Sequence, residues 1–391
     1  MAGAGPVGSY FAGKLAQLGH NVLVLDKEVA AGRRVCCTGI IGRECRNLLA
    51  ADDNLLIRQA SSARFFVPSD RSLRLWRDDE VAFIIDRPAL EQTLASRAQT
   101  AGASYLFNAK VTDVEIGADC LHVETECRGQ KKLFEAETVV IATGFGSPLP
   151  RKLGLGKISE FTVGSQAEVN VNGIDEVEVY FDQTLAPGGF AWLVPTRDSK
   201  GLAGLMTRQH PKRHLNELLS NLKAQGKIMP TEVVPCYGLI PLRPLPKTYA
   251  DRILVIGEAA GQVKPTTGGG IYYGFLCADI AADSLHQAFL ANDLSQANLA
   301  CYQKQWRARL GKELRIGYLA HRLYERLGNQ QIEYFYDFIN NSGVPQLVTK
   351  SEDFSFDWHG GLILNILKHL AASIPIQMVK AISRRNAVVD N

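Results

Sequence analysis

The chain has 391 residues, of which 46% are hydrophobic and 21% charged, and its formal net charge is +3. This balance is typical of a globular protein with a large core, and the small net charge without a dense Lys/Arg run argues against nucleic-acid binding. The eight cysteines include no CxxC pair, so we expect neither structural zinc nor a disulfide framework. No signal-peptide pattern or membrane-spanning apolar run occurs, which makes the cytosol the expected location.

The first half of the chain alternates helices with short apolar strands. Apolar residues recur at helical spacing over Val7–Leu18, and the run Asn21–Asp26 reads as a buried parallel strand. The segment Asp86–Ala103 predicts a helix with an aspartate N-cap and a proline in its first turn. Two further apolar strands, Thr138–Gly144 and Arg252–Gly261, each run into a glycine turn.

Alternating polar and apolar residues between these elements predict antiparallel sheet, and from about Leu294 onward the pattern is helical. We therefore expect an α/β protein with a discontinuous Rossmann-like domain, an interleaved antiparallel-sheet substrate domain and a C-terminal helical region. The expected bounds are 1–60, 86–160 and 250–293 for the Rossmann-like domain, 61–85 and 161–249 for the substrate domain, and 294–391 for the helical region.

A glycine fingerprint opens the chain at Gly3, Gly5 and Gly8. Such a turn lets the backbone approach a pyrophosphate at a helix N-terminus, where unpaired N–H groups favour an anion. Asp26 follows at the end of the next strand, close to the offset of about 20 residues at which a carboxylate meets ribose hydroxyls. The alternative is an incidental turn before a core helix.

Only Met1 and Ala2 precede this fingerprint, at a place where a β-strand is expected. We expect that the first central strand is missing from the Rossmann-like sheet. Losing it would unpair two neighbouring strands, a serious defect against a total stability of about 5–15 kcal/mol. A form extended upstream should therefore hold its dinucleotide more firmly, and equal cofactor content in the two purified forms would contradict this.

A second glycine-rich loop carries the stronger cofactor signal. A strand ends at Gly257 and Glu258, and Gly268, Gly269 and Gly270 then open an apolar helix. Consecutive glycines bring bare backbone donors against a flat, electron-rich group. A flavin fits, because the helix N-terminus stabilises the negative charge of its reduced ring.

Together these segments resemble the geranylgeranyl reductase family, which comprises FAD enzymes of the para-hydroxybenzoate hydroxylase-like fold. The resemblance rests on the fingerprint with Asp26, on DRPALEQTLASRA, VVIATG, GGFAWLVP and CCTGIIG, on the basic helix 302–327, and most specifically on GEAAGQVKPTTGGGIYYG. It implies that Gly3, Gly5, Gly8 and Asp26 bind the ADP half of FAD and that Arg87 lies near the cofactor. It also implies that Glu258, where the family usually has aspartate, contacts the ribityl chain.

The resemblance further implies saturation of isolated C=C bonds in prenyl chains, carried on a diphosphate, lipid, quinone or chlorophyll-like group. Hydride from flavin N5 reaches one carbon and a proton the other, so the site must be dry and hold one acid. Cys37 is the first candidate acid, unless it only packs as a small hydrophobe, and Tyr272 and Tyr273 are alternatives. Phe190 and Trp192 are candidate substrate contacts, with ordinary core packing as the alternative.

Two rival functions remain open from the sequence. A flavin monooxygenase or halogenase shares the fold, although ATGFGSPLPRKLGL lacks the hydroxylases' Asp-Gly pair and FAWLVP only partly matches the halogenases' Trp-x-Trp-x-Ile-Pro motif. A non-catalytic or electron-transfer flavoprotein is the second rival. The electron donor is expected to be NAD(P)H or a reduced redox protein, and no separate nicotinamide fingerprint occurs.

Two other features have simpler explanations. His210 and His214 have the i,i+4 spacing of a metal site, but the neighbouring proline and basic residues favour a solvated turn, and we expect no metal. The basic segment 301–331 and the apolar stretch 360–385, ending in Arg384 and Arg385, suit either peripheral membrane contact or a helix covering the core. The oligomeric state is not predicted.

Overall fold

The structure is a computed structural model that describes residues 1–33, 36–50, 53–350 and 355–373. Its described helices are α1 (Pro6–Gln17), α2 (Arg43–Leu49), α3 (Arg87–Thr100), α4 (Leu149–Lys152), α5 (Pro211–Ala224), α6 (Ile271–Leu290), α7 (Gln296–Tyr324), α8 (Asn329–Asn341), α9 (Val344–Lys350) and α10 (Gly360–Ser373). Two short 3-10 helices cover Asp53–Leu55 and Gly257–Ala260.

The described strands form a mainly parallel sheet, a large and mainly antiparallel sheet, and two three-stranded antiparallel sheets. They are β1 (Leu23–Leu25), β2 (Ile40–Gly42), β3 (Leu56–Ala60), β4 (Ser62–Phe66), β5 (Ser72–Trp76), β6 (Ala82–Ile85), β7 (Ser104–Leu106), β8 (Ala109–Ile116), β9 (Leu121–Cys127), β10 (Gln130–Ala136), β11 (Val139–Ile141), β12 (Phe161–Asn170), β13 (Val177–Tyr180), β14 (Ala191–Pro195), β15 (Lys200–Thr207), β16 (Cys236–Pro241), β17 (Tyr249–Ala250) and β18 (Ile253–Val255).

The centre of the parallel sheet is held by residues 1–3, which hydrogen-bond to the strands on either side. Strand β1 pairs with β7, and β11 pairs with β18, both in parallel. Ala2 lies between these two pairs, bridging Leu25 on one side and Ile141 on the other. Its N–H donates to the carbonyl of Val140 at 2.9 Å, and it is only 1% exposed. The position of the expected first strand is therefore occupied by Ala2.

Both faces of this sheet are covered, which explains the nearly continuous apolar runs of its strands. Val24 and Val140 point into a core shared with α1, α3 and α6. Leu25 and Ile141 point the other way, into a core shared with the antiparallel sheet β8–β9–β10. The helix predicted from Asp86 is confirmed as α3, because the Asp86 carboxylate accepts a hydrogen bond from the N–H of Ala89 at 3.0 Å.

The large sheet has the order β16–β12–β15–β14–β13–β4–β5 and is antiparallel except for the parallel pair β13–β4. Helix α5 covers one face with the buried Leu215, Leu218 and Leu222. The other face borders a cavity through residues that include Gln166 and Trp192. The three-stranded sheet β2–β6–β3 packs against α2.

The helices after β18 close the molecule around the glycine-rich loops. α7 packs along α6, and α10 packs on α7. The segment just before α10 inserts toward the loop that precedes α6, where Asp357 is 1% exposed. The stretch with Arg384 and Arg385, expected to contact a membrane, lies outside the described residues.

Candidate active site

A cavity of about 460 Å³ lies between the glycine turns and the inner face of the antiparallel sheet. Most residues predicted from the sequence to bind cofactor or react line it: Gly3, Gly5, Asp26, Cys37, Arg87, Trp192, Gly257, Glu258, Gly268, Gly269, Gly270 and Tyr272. Gly8, Phe190 and Tyr273 are the exceptions, because none of them is among the lining residues. The fold thus collects residues that are more than 260 positions apart in the sequence around one space.

The first glycine turn is built to approach a ligand closely. Gly3 has φ +108°, and a Cβ there would collide with the carbonyl oxygen of Ala142. A Cβ at Gly8 would collide with the carbonyl oxygen of Gly3. Gly5 faces open space and caps α1 without any side-chain hydrogen bond, so the first N–H groups of the helix remain available to an anion.

Asp26 fastens this turn to the end of β1. One carboxylate oxygen accepts from the N–H of Ala4 at 2.5 Å, and the other accepts from the N–H of Glu28 at 2.7 Å. A carboxylate can accept further hydrogen bonds on its remaining lone pairs. Since Asp26 lines the cavity, it can still accept from ligand hydroxyl groups while it holds the turn.

Arg87, at the start of α3, is buried, and two of its side-chain nitrogens make no hydrogen bond within the described residues. One terminal nitrogen donates to Glu91 at 3.1 Å, while Nε and Nη1 have no hydrogen-bond partner in the described part of the chain. Burial lowers its pKa, but the nearby Cys37, Glu91 and Glu258 raise it above the usual value overall. Burial also raises the pKa of Glu91, whose other oxygen accepts from the N–H of Gly32 at 3.1 Å.

The loop before α6 forms the opposite wall. Gly268 has φ +74°, and a Cβ there would lie 3.1 Å from both Ile240 and Met206. α6 begins without a side-chain cap, so its first N–H groups also face the cavity region unpaired. Glu258 is exposed to the open cavity, and the surrounding protein raises the pKa of its carboxyl group by desolvation.

A buried ion pair at the cavity, Lys264 with Asp357, escaped the sequence analysis. Lys264 is 4% exposed, donates to the carbonyl of Phe356 at 3.0 Å and lies 3.6 Å from the carboxylate of Asp357. Burial lowers the pKa of Lys264 and raises that of Asp357. The only sequence signal for Lys264 is a lysine within the glycine-rich loop, and Asp357 has none, because it lies 93 residues further along.

Two of the three predicted proton donors, Cys37 and Tyr272, line the cavity and have different surroundings. Cys37 is half-buried at the cavity, and its sulfur accepts from the N–H of Gly39 at 3.4 Å. The hydroxyl of Tyr272 instead donates to Glu44 at 2.9 Å, and burial together with that carboxylate raises its pKa far above the ordinary value. Tyr272 is therefore a poor acid as it stands, and the geometry favours Cys37.

The substrate-side wall belongs to the antiparallel sheet. Trp192 packs its ring tightly over Gly204, whose missing side chain provides the room, and it contacts Phe190 behind it with ring centroids 5.8 Å apart. Gln166, also missed by the sequence analysis, is 6% exposed and lines the cavity. Its side-chain oxygen has no hydrogen-bond partner among the described residues.

A disulfide joins the segment before β2 to the start of β16 beside this cavity. Cys36 and Cys236 are bonded with their Cα atoms 5.6 Å apart, across 200 residues of sequence. The expectation that the cysteines form no disulfide was wrong for this pair. Cysteine spacing gives no indication of a pairing over such a distance, because only the tertiary packing brings the two residues together.

These features fit a bound dinucleotide with a flat ring. The pyrophosphate can bind the open N-terminus of α1, and the buried, unpaired nitrogens of Arg87 can bind an oxygen-rich group. The glycines at 268–270 can let a ring lie against bare backbone. His210 and His214 lie away from this site, where His214 contacts Glu217 at 3.1 Å on α5.

Residues 70–284 match the family described as FAD dependent oxidoreductase (DAO). The digeranylgeranylglycerophospholipid reductase of Methanocaldococcus jannaschii is 28% identical over 344 residues, covering 85% of this chain and 88% of the relative. A geranylgeranyl bacteriochlorophyll reductase-like protein from Thermoplasma acidophilum has a similar structure, with a TM-score of 0.82 and 21% identity over 95% of this chain and 98% of that chain.

More distant structures share the fold as well. A variant of the halogenase PltM in complex with FAD has a TM-score of 0.67 and 15% identity, covering 97% of this chain and 84% of that chain. At this level of identity the likeness is one of fold alone. It confirms the predicted combination of a Rossmann-like domain with antiparallel sheet and C-terminal helices.

Proposed function

This chain belongs to the FAD dependent oxidoreductase family, and on that premise we propose that it saturates the C=C bonds of prenyl chains attached to a lipid. The observation that carries the proposal is the cavity itself, which has a glycine cradle on one side and a mostly apolar sheet face with Trp192 on the other. The relative from M. jannaschii, named for the reduction of a digeranylgeranyl lipid, supports this substrate class.

FAD would be held by the glycine turn with Asp26, by Arg87 and by the loop from Gly257 to Gly270. Bound there, it would supply a hydride to one alkene carbon. Asp26 keeps the turn in place through its two backbone hydrogen bonds. Glu258, one methylene longer than the aspartate usual in the resembled family, faces the same space.

We assign the proton to Cys37. Its thiol would protonate the second alkene carbon, and the neighbouring Arg87 guanidinium would stabilise the thiolate left behind. Trp192, Met206 and Ile240 supply apolar surface to the cavity and exclude water from the reacting carbons. Tyr272 stays a weaker candidate, because its hydroxyl proton is shared with Glu44.

The test uses anaerobic protein loaded with FAD and reduced by dithionite. Mixed with a geranylgeranyl glycerophospholipid, it should reoxidise its flavin, and mass spectrometry should show a gain of two mass units for each double bond lost. A halogenase or monooxygenase would instead require oxygen and give an oxygenated or halogenated product. Flavin that stays reduced with the lipid and forms product only with oxygen would contradict the proposal.

The enzyme would meet such a lipid at a membrane surface. No helix in the described ranges combines the length and apolar character needed to cross a bilayer. One exposed stripe of α7 nevertheless carries Lys312, Arg315, Leu319 and Leu323 at helical spacing, with the two leucines 57% and 41% exposed. Basic and apolar side chains on one face suit contact with anionic lipid.

Vesicles of phosphatidylglycerol test this contact by co-sedimentation. The double substitution Leu319→Glu/Leu323→Glu should weaken binding. Leu133→Glu, which changes a leucine that is 65% exposed on the separate sheet β8–β9–β10, is the control. Equal sedimentation of the two variants would place the membrane contact elsewhere. For the electron donor we propose a reduced redox protein that acts through the cysteines at the cavity.

A further inference from the structure

The Cys36–Cys236 disulfide lies where solvent and cofactor cavity meet. Cys36 is exposed to solvent and also lines the cavity, and Cys236 is half-buried at the start of β16. The free thiol of Cys37 is the next residue along the chain. Cys36 and Cys37 therefore border the space that the flavin is proposed to occupy, Cys236 is bonded to the first of them, and Cys36 is an exposed residue.

Strand register shows that the pair shares the face that lines the cavity. Cys236 on β16 pairs with Gln166 on β12, which in turn pairs with Gly204 on β15, and Gly204 pairs with Trp192 on β14. Residues directly opposite one another across a sheet project from the same face. Gln166 and Trp192 both line the cavity, so Cys236 lies in the same cross-strand row as two cavity residues.

The neighbouring row connects the disulfide to the glycine loop. Gly238, two residues from Cys236 and about 7 Å along the strand, lines the cavity, and a Cβ there would lie 4.0 Å from the Cβ of Cys36. Ile240, two residues further, is the side chain that a Cβ at Gly268 would meet at 3.1 Å. A single strand thus runs from the disulfide to the triple glycine.

We propose that Cys36 and Cys236 form a redox-active pair that accepts two electrons from an external dithiol and passes them to the FAD, an inference that rests on the proposed function. A thiolate of the external dithiol attacks the pair and its second thiol completes the exchange, so that the external molecule becomes a disulfide and both cysteines become thiols. The Cys36–Cys236 bond then re-forms as two electrons and two protons go to the flavin, which is reduced.

The position of the bond argues for exchange rather than for a purely structural link. Exposed disulfides are the labile and catalytic ones, whereas structural disulfides resist reduction. Sulfur exchange needs access for the attacking thiolate, which the exposure of Cys36 provides. The chemical class of the donor is then a dithiol, such as a small redox protein with a pair of reactive cysteines.

The test counts electrons as well as rates. FAD-loaded wild-type protein, reduced anaerobically by light and a deazaflavin, should take up two two-electron equivalents per flavin, and thiol labelling with mass spectrometry should find Cys36 and Cys236 reduced. Cys236→Ser should take up one equivalent. Dithiothreitol, the probe dithiol, should bleach the flavin of this variant at least about ten-fold more slowly than that of the wild type.

Cys301→Ser, which changes a half-buried cysteine on α7, is the matched control and should behave as wild type. Dithionite should bleach the flavin of all three proteins, which shows that each holds reducible FAD. One equivalent per flavin in the wild type, with the disulfide intact, would overturn the inference, as would equal bleaching by dithiothreitol. Failure of the dithionite-reduced wild type to saturate a prenyl lipid would instead overturn the proposed function and leave the electron count standing.

Discussion

Removing one partner of the buried Lys264–Asp357 pair should destabilise the protein severely. Both side chains are almost completely buried, at 5% and 2% exposure, and their charged atoms lie 3.6 Å apart. Lys264→Met preserves much of the volume but leaves the Asp357 carboxylate with backbone donors alone, including the N–H of Cys45 at 3.3 Å. Breaking a buried ion pair in this way costs about 3–5 kcal/mol.

That loss is a large fraction of a typical stability of about 5–15 kcal/mol, so it should be evident in urea denaturation at matched FAD saturation. The double variant Lys264→Met/Asp357→Asn carries no net charge at this place and retains an amide oxygen for Cys45. It should therefore recover about half of the loss or more. A double variant as unstable as the single one would show that the charge of Asp357 is not the cause.

The acid dependence gives a second check on the same variant. Burial already raises the pKa of Asp357, and loss of Lys264 removes an interaction that lowers it. A carboxyl group whose folded pKa is raised adds stability below its unfolded value of about 3.9 and loses it as the pH rises through the folded value. The difference in the free energy of unfolding between the wild type and Lys264→Met should thus become smaller as the pH is lowered toward 4. A difference that does not change with pH would refute the reasoning.

Three further predictions concern the cavity. Gly268→Ala should lower the free energy of unfolding by about 1–2 kcal/mol, because alanine is strained in the left-handed backbone conformation, and should weaken FAD binding about ten-fold. Gly270→Ala, at a position without positive φ, should have a smaller effect on both. Thermal melts measure the stability and FAD fluorescence titration measures the binding. Cys37→Ala should lower prenyl saturation about 100-fold while dithionite still reduces the flavin at the wild-type rate, as stopped-flow absorbance would show. Arg87→Gln should weaken FAD binding about 10- to 100-fold in equilibrium dialysis, because it removes a buried charged donor, and unchanged affinity would remove Arg87 from the cofactor site.

The sequence by itself determined the local structural elements of this protein, namely its glycine turns, a helix cap and its apolar strands. The glycine turns at Gly3 and Gly268 can be predicted from the sequence, because a positive φ and a close backbone approach require glycine at those positions. The Asp86 cap and the apolar strands can also be predicted, because capping and strand burial depend on residues that are close in the sequence. Each of these patterns spans fewer than about 25 residues, which is the range over which chain geometry alone fixes what faces what.

Only the tertiary structure decided which of these pieces share a surface. The bond between Cys36 and Cys236 and the pair formed by Lys264 and Asp357 join residues 200 and 93 positions apart. Gln166 reaches the cavity only because the register of β12 places it in line with Trp192 two strands away. Such contacts come from the packing of whole sheets and helices against one another, and composition, spacing and periodicity carry no record of that packing.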